Sequence, residues 1–240
     1  MRNLLKAVGV GALLAMSATP GGAADVDVTA KAPPSVPFSW TSFYGGGFIG
    51  GLAGKSRWTE AIGPFPGRLI EHDVGGHYGG IQLGVNYQIG FFVIGAEGEF
   101  GWSNGKGSGD CIVGPPFVCT TDMRWLTTAT ARAGIAWDSM LFYGKGGGAW
   151  TKYEYHATLN SVALNTGVEN RAGWVLGAGV EYSFAPDWSL KVEYNYIDFG
   201  TKTINFSDGA VENIKQNLST LKFGVNRRFF VSPPTPFAKN

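Results

Sequence analysis

Charged residues of both signs alternate with apolar residues in several stretches of the chain, and these side chains are the ones best able to do chemistry. Within each stretch the charges recur at every second position, which places them on one face of a β-strand and the apolar residues on the other. Opposite charges that share a small space pair with each other and do not line an open channel. We therefore expect a buried ion-pair network formed by Glu97, Glu99, Arg124, Arg132, Glu181, Lys191, Glu193 and Lys222.

Large aromatic residues lie at the ends of the alternating stretches. Strands that cross a membrane place such rings at both membrane interfaces, whereas a soluble β protein buries them. From Trp125 to Trp137 a strand is about 40 Å long, and a tilt of about 40° leaves a rise of about 30 Å, close to the ~25 Å apolar band of membrane barrels. Tyr44 is expected at the inner rim beside Trp137. The predicted aromatic girdles contain Trp102, Trp125, Trp137, Trp150, Trp174, Trp188 and Phe229.

The alternating stretches predict eight strands that are joined by short and long links in turn. Residues 42–53, 78–89, 91–102, 123–137, 140–152, 171–184, 188–197 and a last strand ending at Phe229 are the expected strands. An even strand number with this alternation is typical of an all-β, eight-stranded antiparallel up-and-down transmembrane β-barrel with short periplasmic turns and long extracellular loops. The charged faces must then point into the lumen, because a charge facing lipid near the bilayer centre costs ~2–4 kcal/mol.

The two ends of the chain differ from the barrel region. Residues 1–24 combine basic Arg2 and Lys6 with a short apolar stretch and small residues, which predicts a secretory signal peptide. Residues 25–39 are rich in proline and predict a periplasmic linker. The barrel is expected at 40–229, and residues 230–240 form a C-terminal tail.

The composition and the cysteines narrow the class of protein further. The chain has 37 glycines among 240 residues, 14% aromatic and 15% charged residues, and a net charge of +1, which gives no reason to propose nucleic acid as a partner. Cys111 and Cys119 are the two cysteines in an exported chain, so they predict a disulfide.

Two other patterns could indicate catalysis or cofactor binding. Gly45-x-Gly47-x-x-Gly50 matches a dinucleotide fingerprint, but that fingerprint needs a helix opening at the motif, and here a strand is expected. His72, His77 and His156 show no metal-ligand spacing. A hydrolase on a barrel scaffold would pair a histidine with a nearby serine at the outer face. We expect no catalytic, cofactor-binding or metal-binding residues, and no cofactor.

Several short motifs resemble one family in their order along the chain. The motifs are Trp40-Thr41-Ser42-Phe43-Tyr44-Gly45-Gly46, Gly95-Ala96-Glu97-Gly98-Glu99-Phe100, Arg124-Trp125-Leu126, Arg132-Ala133-Gly134, Gly147-Gly148-Ala149-Trp150 and Leu221-Lys222-Phe223-Gly224-Val225-Asn226-Arg227-Arg228-Phe229. Over residues 40–229 the chain resembles the small outer-membrane immunogenic proteins of alphaproteobacteria. The resemblance implies an OmpA-like barrel, a surface antigen with structural or envelope-integrity roles, and no enzymatic activity. Members of that family usually end on the last aromatic residue, whereas here eleven residues follow Phe229.

The expected function is a structural, surface-exposed barrel in the outer membrane of a Gram-negative bacterium, with both termini periplasmic and a plugged lumen. A small porin-like channel is the alternative; a lipid-modifying hydrolase and a soluble ligand-binding barrel are two others. The expected partners are outer-membrane lipid and lipopolysaccharide, the barrel-assembly machinery during insertion, and unidentified partners of the extracellular loops.

Overall fold

The computed structural model describes residues 38–62, 66–110, 117–159, 162–205 and 211–229. The predicted signal peptide, residues 25–37 of the predicted linker, Cys111 and the C-terminal tail lie outside the described residues. Among the described residues, no helix is long and apolar enough to cross a membrane.

The described residues form eight antiparallel strands that close into a barrel, so the predicted fold class is confirmed. Each strand pairs with its neighbours in sequence, and β1 closes the barrel by pairing with β8 from Phe43–Phe229 to Ile62–Val211. The strands are β1 Ser42–Ile62, β2 Leu69–Ile89, β3 Phe92–Asp110, β4 Phe117–Trp137, β5 Met140–Leu159, β6 Val162–Ala185, β7 Trp188–Asn205 and β8 Val211–Phe229.

The strands extend well beyond the stretches in which the sequence predicts them. Residues 54–62 and 69–77, for example, fall in a predicted long link but continue β1 and β2 as paired strands. A strand of 21 residues such as β1 is about 70 Å long and rises about 50 Å at a tilt of ~40°. That height is about twice an apolar band of ~25 Å. We call the end with the short turns the turn end. The part of the barrel between the turn end and Trp102, Trp125, Trp150 and Trp174 is the lower half, and the part beyond these tryptophans is the extension.

The outer surface changes character at the boundary between these two parts. Between the aromatic rings it is apolar: Ile49, Leu83, Leu176 and Phe223 are 55–72% exposed. The outward residues of the extension are instead largely polar, and they include the exposed ion pair of Arg57 with Glu71. The lower half of the barrel therefore matches a lipid environment and the extension matches water.

The interior shows the reverse pattern. In the lower half the lumen holds buried charges, whereas a group of apolar side chains fills much of the interior at the boundary and in the extension, beside buried polar residues such as Ser56, Arg171 and Gln216. We call this second group the upper apolar cluster, and it contains Phe48, Leu52, Trp58, Tyr78, Met123, Leu126, Ala149, Tyr153, Val175, Ile197, Phe199, Ile214 and Leu218. The extension thus resembles a soluble β-barrel, in which apolar side chains are buried in the interior away from water.

Candidate functional site in the barrel lumen

The lower lumen brings four carboxylates and four cations together among the described residues. Seven of these eight residues are in the predicted network, and the eighth is Lys145. The group, which we call the charge layer, contains Glu97, Glu99, Arg132, Lys145, Glu181, Lys191, Glu193 and Lys222, each at most 7% exposed. Its formal charges sum to zero, which is the condition under which so many buried charges are tolerated.

Three lysines bind the carboxylates of the charge layer from different strands. Lys145 Nζ lies 3.1 Å from Glu97, 3.1 Å from Glu99 and 2.7 Å from Glu193. Lys191 Nζ lies 2.7 Å from Glu97 and 3.5 Å from Glu193. Lys222 contacts Glu99 and lies 2.8 Å from Glu193. The ion pairs therefore link β3, β5, β7 and β8 across the lumen.

Arg132 occupies a separate position in the charge layer, between two tyrosine rings. Its guanidinium carbon lies 4.7 Å from the Tyr44 ring centroid and 4.9 Å from that of Tyr143, within cation–π distance. It donates to Glu181 at 3.1 Å and to Asn86 at 2.8 Å. The guanidinium is thus held by contacts from β2, β5, β6 and β1.

Hydroxyl groups complete the hydrogen bonding of the carboxylates. Tyr44 donates to Glu97 at 2.8 Å and Tyr143 donates to Glu193 at 2.7 Å. Ser189 donates to Glu181 at 2.6 Å, and Thr128 donates to Glu99 at 3.0 Å. These bonds fix the carboxylate orientations, because a buried carboxylate needs several donors to offset its lost hydration.

Two glycines make room for the tyrosines of the charge layer. Gly84 is the cross-strand partner of Tyr44, and a Cβ at Gly84 would lie 2.2 Å from the Tyr44 hydroxyl. Gly179 faces Tyr143 in the same way, at 2.6 Å. The glycine richness of these strands thus serves the packing of the lumen.

Arg124 corrects the sequence-based assignment, because it lies outside the barrel. Its side chain is 54% exposed and forms an ion pair with Glu154 at 2.6 Å. The pairing register between β4 and β5 skips Arg124, since Met123 pairs with Tyr153 and Trp125 pairs with Lys152. This β-bulge reverses the alternation of β4 at the extension boundary, so strict period-2 counting assigns Arg124 to the wrong face.

The residues of the predicted aromatic girdles lie on the outer surface of the barrel. Trp125 is half-buried against Phe100, with 6.1 Å between the ring centroids. The others are 39–72% exposed: Trp102, Trp137, Trp150, Trp174, Trp188 and Phe229. Tyr44 was expected at the inner rim, and this expectation is wrong because Tyr44 is 2% exposed and points into the lumen.

Glu97, Glu99 and Glu193 come close enough together that they could be considered as metal ligands. One carboxylate oxygen from each lies within 4.8 Å of the others. Lys145 contacts all three of these carboxylates, however, and its ammonium occupies the place of a cation between them. This geometry is that of an ion-pair network.

Two of the three histidines lie among the residues whose side chains are described, both in the extension of β2. His72 lies 3.3 Å from Thr121 Oγ1 and packs against the Trp58 ring, and burial lowers its pKa. His77 is exposed on the outer surface. The side chain of His156 lies outside the described residues. Nearby, hydrogen bonds from Lys55 and Arg57 lower the pKa of Glu71.

The charge layer is one of three layers that fill the lumen. The upper apolar cluster lies on its extension side. On its turn side, Trp40, Val93, Leu141 and Tyr143 form a lower apolar cluster. An eight-stranded barrel leaves an interior that side chains can fill, and the described side chains here occupy it in these three layers.

An apolar outer belt, aromatic rims and a charged lumen in a closed eight-stranded barrel together define an outer-membrane β-barrel protein. The chain belongs to the outer membrane protein beta-barrel domain family, whose model matches residues 8–229.

Relatives with known names agree with this assignment. The 31 kDa outer-membrane immunogenic protein of Brucella melitensis biotype 1 is 34% identical over 240 residues, which cover 94% of this chain and 100% of that protein. The 25 kDa outer-membrane immunogenic protein of Brucella abortus biovar 1 is 26% identical over 234 residues, 95% of this chain and 100% of that protein. The resemblance stated from the sequence is thus confirmed, and this is a surface-exposed protein of the Gram-negative outer membrane.

A solved structure shows the same fold at low sequence identity. The outer membrane protein OprG of Pseudomonas aeruginosa superposes with a TM-score of 0.52 at 11% identity, over 81% of this chain and 99% of that protein. At this identity the likeness concerns the fold alone.

Proposed function

We propose that this protein is a non-conducting structural barrel that supports the outer membrane and carries its extracellular loops above the lipid surface on a rigid extension. The charge layer carries this proposal. A channel for small solutes needs a continuous wet path, whereas here each carboxylate of the layer is bonded to a cation from another strand. Moving an ion along the lumen would require these buried pairs to separate, at a cost of several kcal/mol for each pair.

The upper apolar cluster supports the same proposal. Met123, Ile214 and Leu218 are at most 1% exposed and point into the lumen, so little of the lumen at this level is open to water or ions. The same side chains make the extension stiff, because their burial stabilises it as the core of a soluble domain would. Loops at its end would be held about 25 Å beyond the apolar band.

The test is conductance across planar bilayers by refolded protein whose mobility on a gel changes on boiling, as a folded barrel requires. We expect no reproducible conductance steps from the unchanged chain. Reproducible steps from folded protein would overturn the proposal and favour the porin-like channel.

The outer-membrane relatives support further details of the proposal. Lipids of the outer leaflet, including lipopolysaccharide, surround the apolar belt, and the barrel-assembly machinery inserts the chain. The barrel acts without catalysis and without a cofactor.

The disulfide between Cys111 and Cys119 stays a prediction. Cys119 lies in β4 and packs against the upper apolar cluster. Alkylation of the unfolded protein before and after reduction, followed by mass measurement, tests the bond. Two thiols that react before reduction would contradict it.

A further inference from the structure

Trp40 lies before the first strand, yet it is completely buried. Its indole packs inside the turn end with Val93, Leu141 and Tyr143, in the lower apolar cluster. The Tyr143 hydroxyl in turn reaches the charge layer at Glu193. The segment before β1 therefore folds into the lumen and covers the charge layer from the turn side.

Contacts from distant parts of the barrel hold this segment. The Trp40 backbone N–H donates to Gln88 Oε1 at 2.7 Å, and the Gln88 backbone N–H donates to Thr41 Oγ1 at 3.0 Å. The Arg228 guanidinium lies 5.0 Å from the Trp40 ring and 4.6 Å from the Phe38 ring. The two rings meet edge to face at 5.3 Å. The segment Phe38–Thr41 is thus in contact with the end of β2 through Gln88 and with the end of β8 through Arg228.

Arg228 extends this hold to the turn between β6 and β7. It donates to Ser183 Oγ at 2.5 Å and to the Pro186 carbonyl at 2.7 Å. Through the segment and Arg228, strands β2, β3, β5, β6 and β8 are connected across the opening of the barrel. The segment and Arg228 form a cover across the opening, in addition to the wall that the strands themselves form.

The cover is attached less firmly than the strands are. The strands share continuous ladders of backbone hydrogen bonds, whereas the buried Trp40 indole Nε1 has no hydrogen-bond partner among the residues that the structure describes. An unsatisfied buried donor regains a hydrogen bond when it moves into water. Displacement of the cover therefore restores an interaction that the closed state lacks, and the cover should open before the wall does.

We propose that Phe38–Trp40 is a removable seal of the periplasmic mouth, clamped by Arg228, which separates the lower lumen from the periplasm. The seal is distinct from the charge layer. Whether the whole lumen conducts is a separate question, because the charge layer and the upper apolar cluster lie beyond the seal.

A cysteine placed just inside the seal tests the proposal. Ser189 is suitable because it is completely buried in the lumen and close in size to cysteine. In a chain carrying Cys111→Ser and Cys119→Ser, Ser189→Cys would be the sole thiol. With Trp40 in place, we expect this thiol to react slowly with a small, membrane-impermeant methanethiosulfonate reagent. Trp40→Ala should speed the reaction about tenfold or more, because it lowers the free energy of opening.

Trp137→Ala is the matched control, because Trp137 lies at the same end of the barrel but faces outward with 72% exposure. It should leave the reaction rate unchanged. Phe38→Ala is a second variant that keeps Trp40 and weakens the clamp, so it should speed the reaction less than Trp40→Ala does. It also serves if Trp40→Ala fails to fold, as judged by the mobility change on boiling.

Fast reaction of Ser189→Cys in folded protein with Trp40 intact would overturn the seal. So would equal rates in folded Phe38→Ala and in the unchanged segment. Conductance of the unchanged chain would instead overturn the proposed function, so the two failures can be told apart.

Discussion

Lys145 lies at the centre of the charge layer, where its ammonium contacts three carboxylates and has no exposed surface. Lys145→Met removes one positive charge and leaves four carboxylates with three cations. Breaking a buried ion pair by removing one partner typically costs about 3–5 kcal/mol. We expect a loss of that size in the free energy of unfolding, measured by urea titration of protein folded in lipid vesicles.

Two further variants separate charge balance from packing. Lys106→Met removes an exposed lysine whose ammonium lies 3.9 Å from Asp122, and it should have little effect. Lys145→Met combined with Glu99→Gln restores neutrality and should recover part of the lost stability. A double variant less stable than Lys145→Met would contradict an electrostatic origin of the loss.

The burial of His72 leads us to expect that the stability of the extension depends on pH. Burial lowers the pKa of His72, so the folded barrel favours the neutral imidazole. As the pH falls below about 6.5, the unfolded chain binds a proton that the folded chain resists. The contribution of His72 to stability is therefore complete above that pH and is lost as the pH falls towards the lowered pKa.

Hydrogen exchange of peptides from the extension, corrected for intrinsic rates, measures this effect. We expect weaker protection near residues 69–77 at about pH 5.5 than at neutral pH, a range in which Glu71 stays ionised because its pKa is lowered. His72→Gln should remove this pH dependence, and His77→Gln, which changes an exposed side chain, should keep it. An identical pH dependence in His72→Gln would rule out His72 as the cause.

At the scale of the strands, β7 has one part in the apolar belt and another part in the extension, which is surrounded by water. Val192 faces outward within the apolar belt and is 44% exposed, whereas Thr201 is exposed in the extension. Val192→Arg should reduce the free energy of folding into lipid vesicles by about 2–4 kcal/mol, because an arginine facing the bilayer centre loses its hydration. Thr201→Arg should cost almost nothing, and equal costs at both positions would place the membrane boundary elsewhere.

Because neighbouring side chains of a strand point to opposite faces, period-2 alternation was sufficient to predict the number of strands, their order and most of the charge layer, but not the strand lengths. Alternation fails where a bulge adds a residue. The register breaks at Arg124 in β4 and again between Asp198 and Thr201 in β7, both close to the extension boundary. A single sequence does not mark these extra residues.

Lys145 and Tyr44 were missed because glycines surround them. With Gly144 and Gly146–Gly148 beside Lys145, no apolar residue marks the outward face. In β1, Gly45 and Gly47 occupy the outward positions, so the inward Tyr44 and Phe48 look like the apolar face. A charged or aromatic residue within such a glycine run is therefore a candidate for the lumen, since glycines leave space for large neighbours.

The whole molecule combines two interiors within one barrel. Lipid surrounds the lower half, so its polar residues turn inward; water surrounds the extension, so its apolar residues turn inward. The full length of the strands is also not evident from the sequence of either half. The extension strands contain polar outward residues and glycines, which is why the sequence predicts them as links.

The last strand bears on how this barrel is completed during assembly. Phe229 ends β8, faces outward with 54% exposure and pairs with Phe43, so the β1–β8 ladder closes without residues 230–240. Truncation after Phe229 should therefore leave the amount of folded protein in the outer membrane unchanged, measured as the band that shifts on boiling. Phe229→Ala in the full chain should lower that amount, because it removes the aromatic residue that ends the final strand. If the truncated chain failed to insert while Phe229→Ala inserted normally, the assembly signal would lie in the tail and not in Phe229.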